Sequence, residues 1–130
     1  MSKDKKENKK VRVAIIGIGN CASSFVQGLQ YYKDAADDEE IPGLMHAVVG
    51  GYHVRDIEIS AAIDVVAGKV GKDLSEAIWA EPNNTIKFAD VPYMNVPVAR
   101  GMTHDGLGKY VSTVVTKAES PTDDIAKILK

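Results

Sequence analysis

The chain has 130 residues, of which 45% are hydrophobic and 26% charged, and its formal net charge at pH 7 is −2. This composition is typical of one globular domain or part of one, and it lacks the basic excess that would favour a nucleic acid partner. No apolar stretch is long enough to span a bilayer and no signal peptide is recognisable, so we expect no membrane partner.

Charge is concentrated at the start of the chain. Residues 1–10 mix five lysines with acidic residues and are expected to form a disordered tail, which leaves residues 11–130 as the folded domain. Cys21 is the sole cysteine, so no internal disulfide can form and a cytoplasmic location is expected. Because no His or Asp partner can be identified for Cys21, we do not assign it as a nucleophile.

The most informative motif is the stretch 11–24, VRVAIIGIGNCASS. Its β-branched start predicts a buried parallel strand, and Gly17 and Gly19 permit a tight turn and a close approach of the backbone to a pyrophosphate. Asn20 is expected to cap the helix that follows, whose first N–H groups would face the phosphates. The motif therefore predicts a dinucleotide-binding turn that needs no basic side chain.

The motif is a variant of the usual glycine fingerprint. Ala22 stands where the third glycine often stands, a substitution that still allows close packing of the helix. Ala22, Phe25, Val26 and Leu29 follow at helical spacing and predict a helix over residues 20–33 with one apolar face. The alternative interpretation is a strand-to-helix turn that binds nothing.

The second strand is predicted over residues 57–65, after an irregular insertion, and it ends near Asp64. An acidic side chain at that strand end can accept both ribose hydroxyls of an adenosine and repels a 2′-phosphate, which favours NAD over NADP. Asp64 lies much farther from Ala22 than the usual spacing of about 20 residues. Asp73 is a second candidate, and the residues alone leave open whether it contacts the cofactor or only caps the helical turn 74–79.

The last third of the chain gives weaker signals. Two prolines predict that residues 91–99 form an extended loop or an edge segment rather than a central strand. Residues 102–109 are polar and glycine-rich, as either a ligand-facing loop or a plain solvent loop would be. The sequence SPTD at residues 120–123 predicts a capped helix that follows it. Together the elements predict an α/β fold, a partial Rossmann-like doubly wound parallel sheet.

Five segments in this order carry a specific resemblance: GIGNCASSFVQGLQYYKD, PGLMH, GYHVRDIEISAAIDV, KVGKDLSEAIWAEPNNTIK and RGMTHDGLGKY. They resemble the amino-terminal part of inositol-3-phosphate synthase, also called myo-inositol-1-phosphate synthase, of the bacterial and archaeal type. The resemblance covers nearly all of residues 11–130. It implies an NAD-dependent isomerase that converts glucose 6-phosphate to 1L-myo-inositol 1-phosphate by oxidation, enolisation, aldol cyclisation and reduction.

The resemblance also implies which residues bind the cofactor. For Asp73 it favours contact with the adenosine portion of NAD over a capping role alone. It further implies a homo-oligomer, a tetramer in the family. The complete set of expected cofactor-binding residues is Gly17, Ile18, Gly19, Asn20, Cys21, Ala22, Asp64 and Asp73.

Catalytic residues are not assigned, because family members are much longer and their catalytic and oligomerisation domain, with its lysines, is expected to be absent from this chain. The segment alone is therefore expected to be inactive. No metal ligand is assigned either, since His46, His53 and His104 lack ligand spacing. Two other functions stay open: another NAD-dependent sugar-phosphate oxidoreductase, and a non-catalytic module that binds a nucleotide or a partner.

Overall fold

The main sheet of the protein is parallel and has three strands. The computed structural model describes residues 10–103 and 108–130. The predicted tail, apart from its last residue, and the middle of the glycine-rich loop, which includes His104, lie outside the described residues. In chain order the elements are β1 (Val11–Ile16), α1 (Asn20–Tyr32), β2 (Val48–Val49), β3 (Tyr52–His53), β4 (Ile57–Asp64), α2 (Leu74–Ala77), β5 (Val98–Arg100) and α3 (Ile125–Leu129).

The central strand of the sheet is β4, which pairs in parallel with β1 on one side and with β5 on the other. Read from β5 to β1, the order is third, second and first strand, as in one half of a doubly wound nucleotide-binding sheet. The predicted α/β class, the second strand over 57–65 and the first helix over 20–33 are confirmed. The prediction for residues 91–99 is also confirmed, since β5 starts only after Pro97 and forms an edge.

Strand β1 is not the buried strand that its β-branched residues predict. Val11 is 36% exposed and Ile16 is 76% exposed, while Val13 and Ile15 are only partly buried. Within the described residues β1 pairs with β4 alone, so its other edge faces solvent. The prediction of burial is wrong because a parallel strand is buried on both sides only when neighbours flank it.

Residues 48–53 form a hairpin, whereas the sequence suggests an ordered loop within the irregular insertion. β2 and β3 pair antiparallel across Gly50 and Gly51, which have φ values of +59° and +83°. Positive φ at both central residues is what a type I′ turn requires, and glycine adopts it without a steric penalty. The glycine pair thus makes a tight turn within the insertion.

The C-terminal helix begins later than the SPTD motif predicts. α3 starts at Ile125, and the carboxylate of Asp124 caps it. Asp123 instead bonds to β5: its N–H donates to the Arg100 carbonyl (2.9 Å) and its Oδ2 accepts from the Arg100 N–H (2.7 Å). Because these contacts hold residues 120–123 outside the helix, the predicted capping box does not form.

The hydrophobic core lies where α1, β4, α2 and the segment leading into β5 meet. Its buried side chains come from all four of these elements and from the turn between β1 and α1. None of the helices in the described ranges combines the length and the apolar character needed to cross a bilayer. The core residues are Ile18, Ala22, Val26, Ile59, Ala62, Leu74, Ala77, Ile78, Val96 and Val98.

Leu74 offers a direct test of this core, because its side chain is fully buried at the start of α2. Leu74→Ala leaves a cavity among these residues, and we expect it to lower the free energy of unfolding by about 2–5 kcal/mol. Leu129→Ala is the matched control, since Leu129 is 49% exposed, and its effect should stay within about 0.5 kcal/mol. Urea denaturation followed by circular dichroism measures both values, and equal effects would contradict this packing.

Candidate functional site

The turn between β1 and α1 is held tightly at its base and is open above. The Gly17 N–H donates to the Ile63 carbonyl (2.8 Å), and Gly17 has a φ of +91°. Gly19 has ordinary extended angles, φ −92° and ψ −164°. A Cβ built on either glycine would meet no atom within 4 Å. The space above both glycines is therefore free for a ligand to approach the backbone.

Helix α1 starts in this turn, and its first N–H groups have no acceptor within the helix. Its first hydrogen bond runs from the Ser23 N–H to the Gly19 carbonyl (3.0 Å), so the N–H groups of residues 20–22 precede the helical ladder. Gly19 is the N-cap and supplies no capping side chain. The prediction that Asn20 caps the helix is wrong, because Asn20 is already the first helical residue. The positive end of the helix dipole is left open to an anion.

The Asn20 side chain instead binds the segment that follows α2. Its Nδ2 donates to Asn84 Oδ1 (2.9 Å), while its Oδ1 accepts from the Asn84 N–H (2.8 Å) and from the Thr85 hydroxyl (2.8 Å). These contacts fix the edge of the turn. Sequence reasoning missed Asn84 and Thr85, and the only signal was a polar triplet after a proline.

Ile18, which lies between the two glycines, is a core residue. Its side chain is fully buried. Its N–H donates to Asp64 Oδ2 (2.7 Å), and its carbonyl accepts from Lys69 Nζ (2.6 Å) and from Asn83 Nδ2 (3.0 Å). Since both its side chain and its N–H are already engaged, a role for Ile18 in cofactor binding stays a prediction.

Asp64 reaches the turn, as its position at the end of β4 predicts. Besides Ile18, its carboxylate accepts from the N–H groups of Val65 (2.6 Å) and Val66 (3.0 Å) through Oδ1. The carboxylate is therefore directed at the backbone in this structure. Its contact with a ribose stays a prediction.

Lys69 is the site residue that sequence reasoning missed most completely. It is only 3% exposed, and its ammonium group donates to the Ile18 carbonyl and to Asn83 Oδ1 (2.9 Å). Burial lowers the pKa of Lys69 below its ordinary value of 10.5, and the charge of Asp64 opposes part of that shift. A lysine in a polar stretch such as KVGKD reads as a solvent-exposed residue, so no local signal could have identified it.

Asp73 is the N-cap of α2. Its carboxylate accepts from the Ser75 N–H (3.0 Å) and hydroxyl, from the Met94 N–H (3.0 Å) and from the Val96 N–H (2.8 Å). Burial alone would raise its pKa, but these donors together lower the pKa below the ordinary 3.8. The capping interpretation is confirmed, and contact with adenosine stays a prediction.

The two remaining candidates lie in the first turn of α1. Ala22 is buried in the core, which agrees with the small residue that the fingerprint requires there. Cys21 is exposed and carries a free thiol. Both residues contribute N–H groups to the open helix start, which is the part of the site that could hold a diphosphate.

The fold and this turn define a class of protein: an α/β chain in which the first strand of a parallel sheet leads through a glycine-rich turn into a helix. No protein-family model matches the chain. Inositol-3-phosphate synthase of Mycolicibacterium smegmatis is 56% identical over 120 residues, which is 92% of this chain and 33% of that protein. The Corynebacterium glutamicum inositol-3-phosphate synthase is 49% identical over 119 residues, again 92% of this chain and 33% of that protein.

A solved structure agrees with the parallel fold. The crystal structure of Ari2 aligns with a TM-score of 0.64 at 32% identity, covering 72% of this chain and 29% of that one. By sequence, the chain is similar to the inositol-3-phosphate synthases over 92% of its own length. It spans about one third of the length of the curated relatives it matches.

The two glycines of the turn should respond differently to substitution. Gly17→Ala forces a side chain into positive φ, so we expect a loss of about 1–3 kcal/mol in the free energy of unfolding. Gly19→Ala should change it by less than about 1 kcal/mol, because its angles suit any residue and the space is open. Thermal and urea denaturation of the two variants measure the difference. Equal losses of unfolding free energy in the two variants would contradict the positive φ at Gly17 and the extended angles at Gly19.

Asp73 should contribute stability that depends on pH. Because its folded pKa lies below 3.8, the contribution is present above that pH and is lost as the pH falls through the folded value. Asp73→Asn should lower the free energy of unfolding by about 1–3 kcal/mol at pH 7, and this gap should narrow below pH 3.8. Urea denaturation across pH measures it. Asp38→Asn, at an exposed position, is the control, and a gap that did not change with pH would contradict the ionised cap.

Proposed function

We propose that this chain is the NAD-binding part of an inositol-3-phosphate synthase. The observation that carries the proposal is the open turn at Gly17 and Gly19, set directly before an uncapped helix start. The 56% identity to an inositol-3-phosphate synthase supports the choice of family. A turn that only connects a strand to a helix would need neither the open space above the glycines nor the uncapped helix start.

The turn fits a dinucleotide diphosphate on physical grounds. The free space above both glycines lets phosphate oxygens come close to the backbone, where a Cβ would otherwise stand. The N–H groups of residues 20–22 supply donors, and the helix dipole favours the negative charge. Buried Ala22 keeps α1 close to the sheet, so the helix start stays beneath the ligand.

The whole protein that we propose would convert glucose 6-phosphate to 1L-myo-inositol 1-phosphate. Bound NAD would supply a hydride acceptor that later returns the hydride. In this scheme the residues of the present chain bind and orient the cofactor, and we assign none of them to catalysis. Assembly as a homo-oligomer and a cytoplasmic location are further parts of the proposal.

Selectivity for NAD over NADP is proposed to arise at the carboxyl end of β4. Asp64 places a negative charge beside the turn, and such a charge repels the 2′-phosphate of NADP. Its hydrogen bonds to three backbone N–H groups keep it in place. A dinucleotide whose adenosine ribose has an unphosphorylated 2′-hydroxyl is therefore favoured.

Titration calorimetry of this chain with NAD tests cofactor binding. Gly19→Val puts a branched side chain into the open space, so we expect NAD affinity to fall by about tenfold or more while the fold is kept. Gly28→Ala, in the body of α1, is the control that should bind as the original chain does. If Gly19→Val binds NAD with unchanged affinity, the assignment of this turn as the diphosphate-binding site is overturned. If the folded chain binds no NAD, the cofactor-binding role fails and only a role in binding a partner remains.

The proposed reaction requires an assay of a longer protein that contains this chain. Incubated with glucose 6-phosphate and NAD, it should form inositol phosphate with no net accumulation of NADH, because the hydride is returned. Absorbance at the NADH band and phosphate-ester analysis by NMR measure the two outcomes. Steady NADH accumulation would contradict the isomerase and favour a sugar-phosphate dehydrogenase.

A further inference from the structure

We propose that Lys69 and Asn83, together with Asp64, are positioning residues that turn the Gly19 N–H outward to the diphosphate by capturing the backbone of Ile18. This inference rests on the proposed NAD-binding function. None of the three side chains needs to touch the cofactor for it to hold. They act through the peptide groups on either side of Ile18.

The planarity of the peptide bond is the first step of the argument. The Ile18 carbonyl and the Gly19 N–H belong to one trans peptide unit, so they point in opposite directions. The carbonyl points inward, where the buried Lys69 ammonium (2.6 Å) and the Asn83 amide (3.0 Å) donate to it. The Gly19 N–H must therefore point away from the core, towards the open space above the turn.

The two preceding peptide units are also held by hydrogen bonds. The Ile18 N–H donates to Asp64 Oδ2 (2.7 Å), and the Gly17 N–H donates to the Ile63 carbonyl (2.8 Å). With the Ile18 side chain fully buried, the backbone of the turn is fixed at successive residues. A glycine-rich turn is otherwise free to take many conformations, so this fixing removes an entropic cost of binding.

The protein places Lys69 and Asn83 by short local turns. The N–H groups of Lys69 and Val70 both donate to the Val66 carbonyl (3.0 and 3.1 Å), which folds the chain after β4 back under the glycine turn. Asn83 is fixed because its Nδ2 also donates to the Ile78 carbonyl (3.1 Å) at the end of α2. Both donors are thus built into the fold before any ligand arrives.

The charge on Lys69 adds to its geometric effect. A cation that donates to a carbonyl polarises the peptide unit, and the N–H of that unit becomes a stronger donor. Burial of this ammonium lowers its pKa, and the charge of Asp64 opposes part of that shift.

Lys69→Met tests the proposal, because methionine fills a similar volume and donates no hydrogen bond. We expect the Kd for NAD to rise by about ten- to a hundredfold, as loss of a charged hydrogen-bond donor predicts. The Gly19 amide signal should shift in ¹⁵N-resolved NMR even without NAD, because its peptide unit loses the charged donor to the Ile18 carbonyl. Val98→Ala is the control: it removes core contacts on β5, so it should lower the melting temperature and leave the Kd and the Gly19 amide unchanged.

A second variant guards against a folding defect. Asn83→Ala removes the other donor to the Ile18 carbonyl from a half-buried position, and it should raise the Kd for NAD by several-fold with the same change at the Gly19 amide. If the original chain binds NAD and both folded variants keep its Kd and its Gly19 signal, the inference is overturned and the proposed function stands. If the original chain binds no NAD, the proposed function fails, while the Gly19 amide still reports on the positioning.

Discussion

The capture of Ile18 is the interaction on which the rest of the structure depends. Ile18 joins the hydrophobic core through its side chain, and its two backbone groups are held by Asp64, Lys69 and Asn83. It therefore ties the end of β1 and the start of α1 to the segments after β4 and after α2. The glycines on either side can remain open because the residue between them is immobilised. The same residue thus contributes to the packing of the core and fixes the shape of the site.

This arrangement explains the use of buried charge in a chain with little net charge. A lysine that is 3% exposed is costly unless acceptors surround it, and here the Ile18 carbonyl, Asn83 and the nearby Asp64 carboxylate offset that cost. Asp73, at the end of the segment between β4 and α2, is also surrounded by partners, because its carboxylate accepts from four donors. Both residues use charge to bind backbone groups that have no partner in the hydrogen-bond ladders of the sheet or the helices.

The sheet has the strand order of one half of a doubly wound nucleotide-binding sheet. Strand β1 carries exposed β-branched residues on an edge that faces solvent within the described residues. A strand with this composition is usually flanked on both sides. The curated relatives are about three times longer than the matched region. These facts support the proposal that the chain is the NAD-binding part of an inositol-3-phosphate synthase.

The sequence by itself determined the local elements. The run of β-branched residues, the two glycines and the helical spacing after Ala22 predicted β1, the turn and α1 to within a residue. Each of these patterns depends on only a few neighbouring residues. Tertiary structure alone decided that β1 is an edge within the described residues, that Asp73 also binds the N–H groups of Met94 and Val96, and that α3 starts at Ile125. It also brought Asp64, Lys69 and Asn83 to Ile18 across 46, 51 and 65 positions. No local pattern records such contacts, because they form only when distant segments fold around the same backbone.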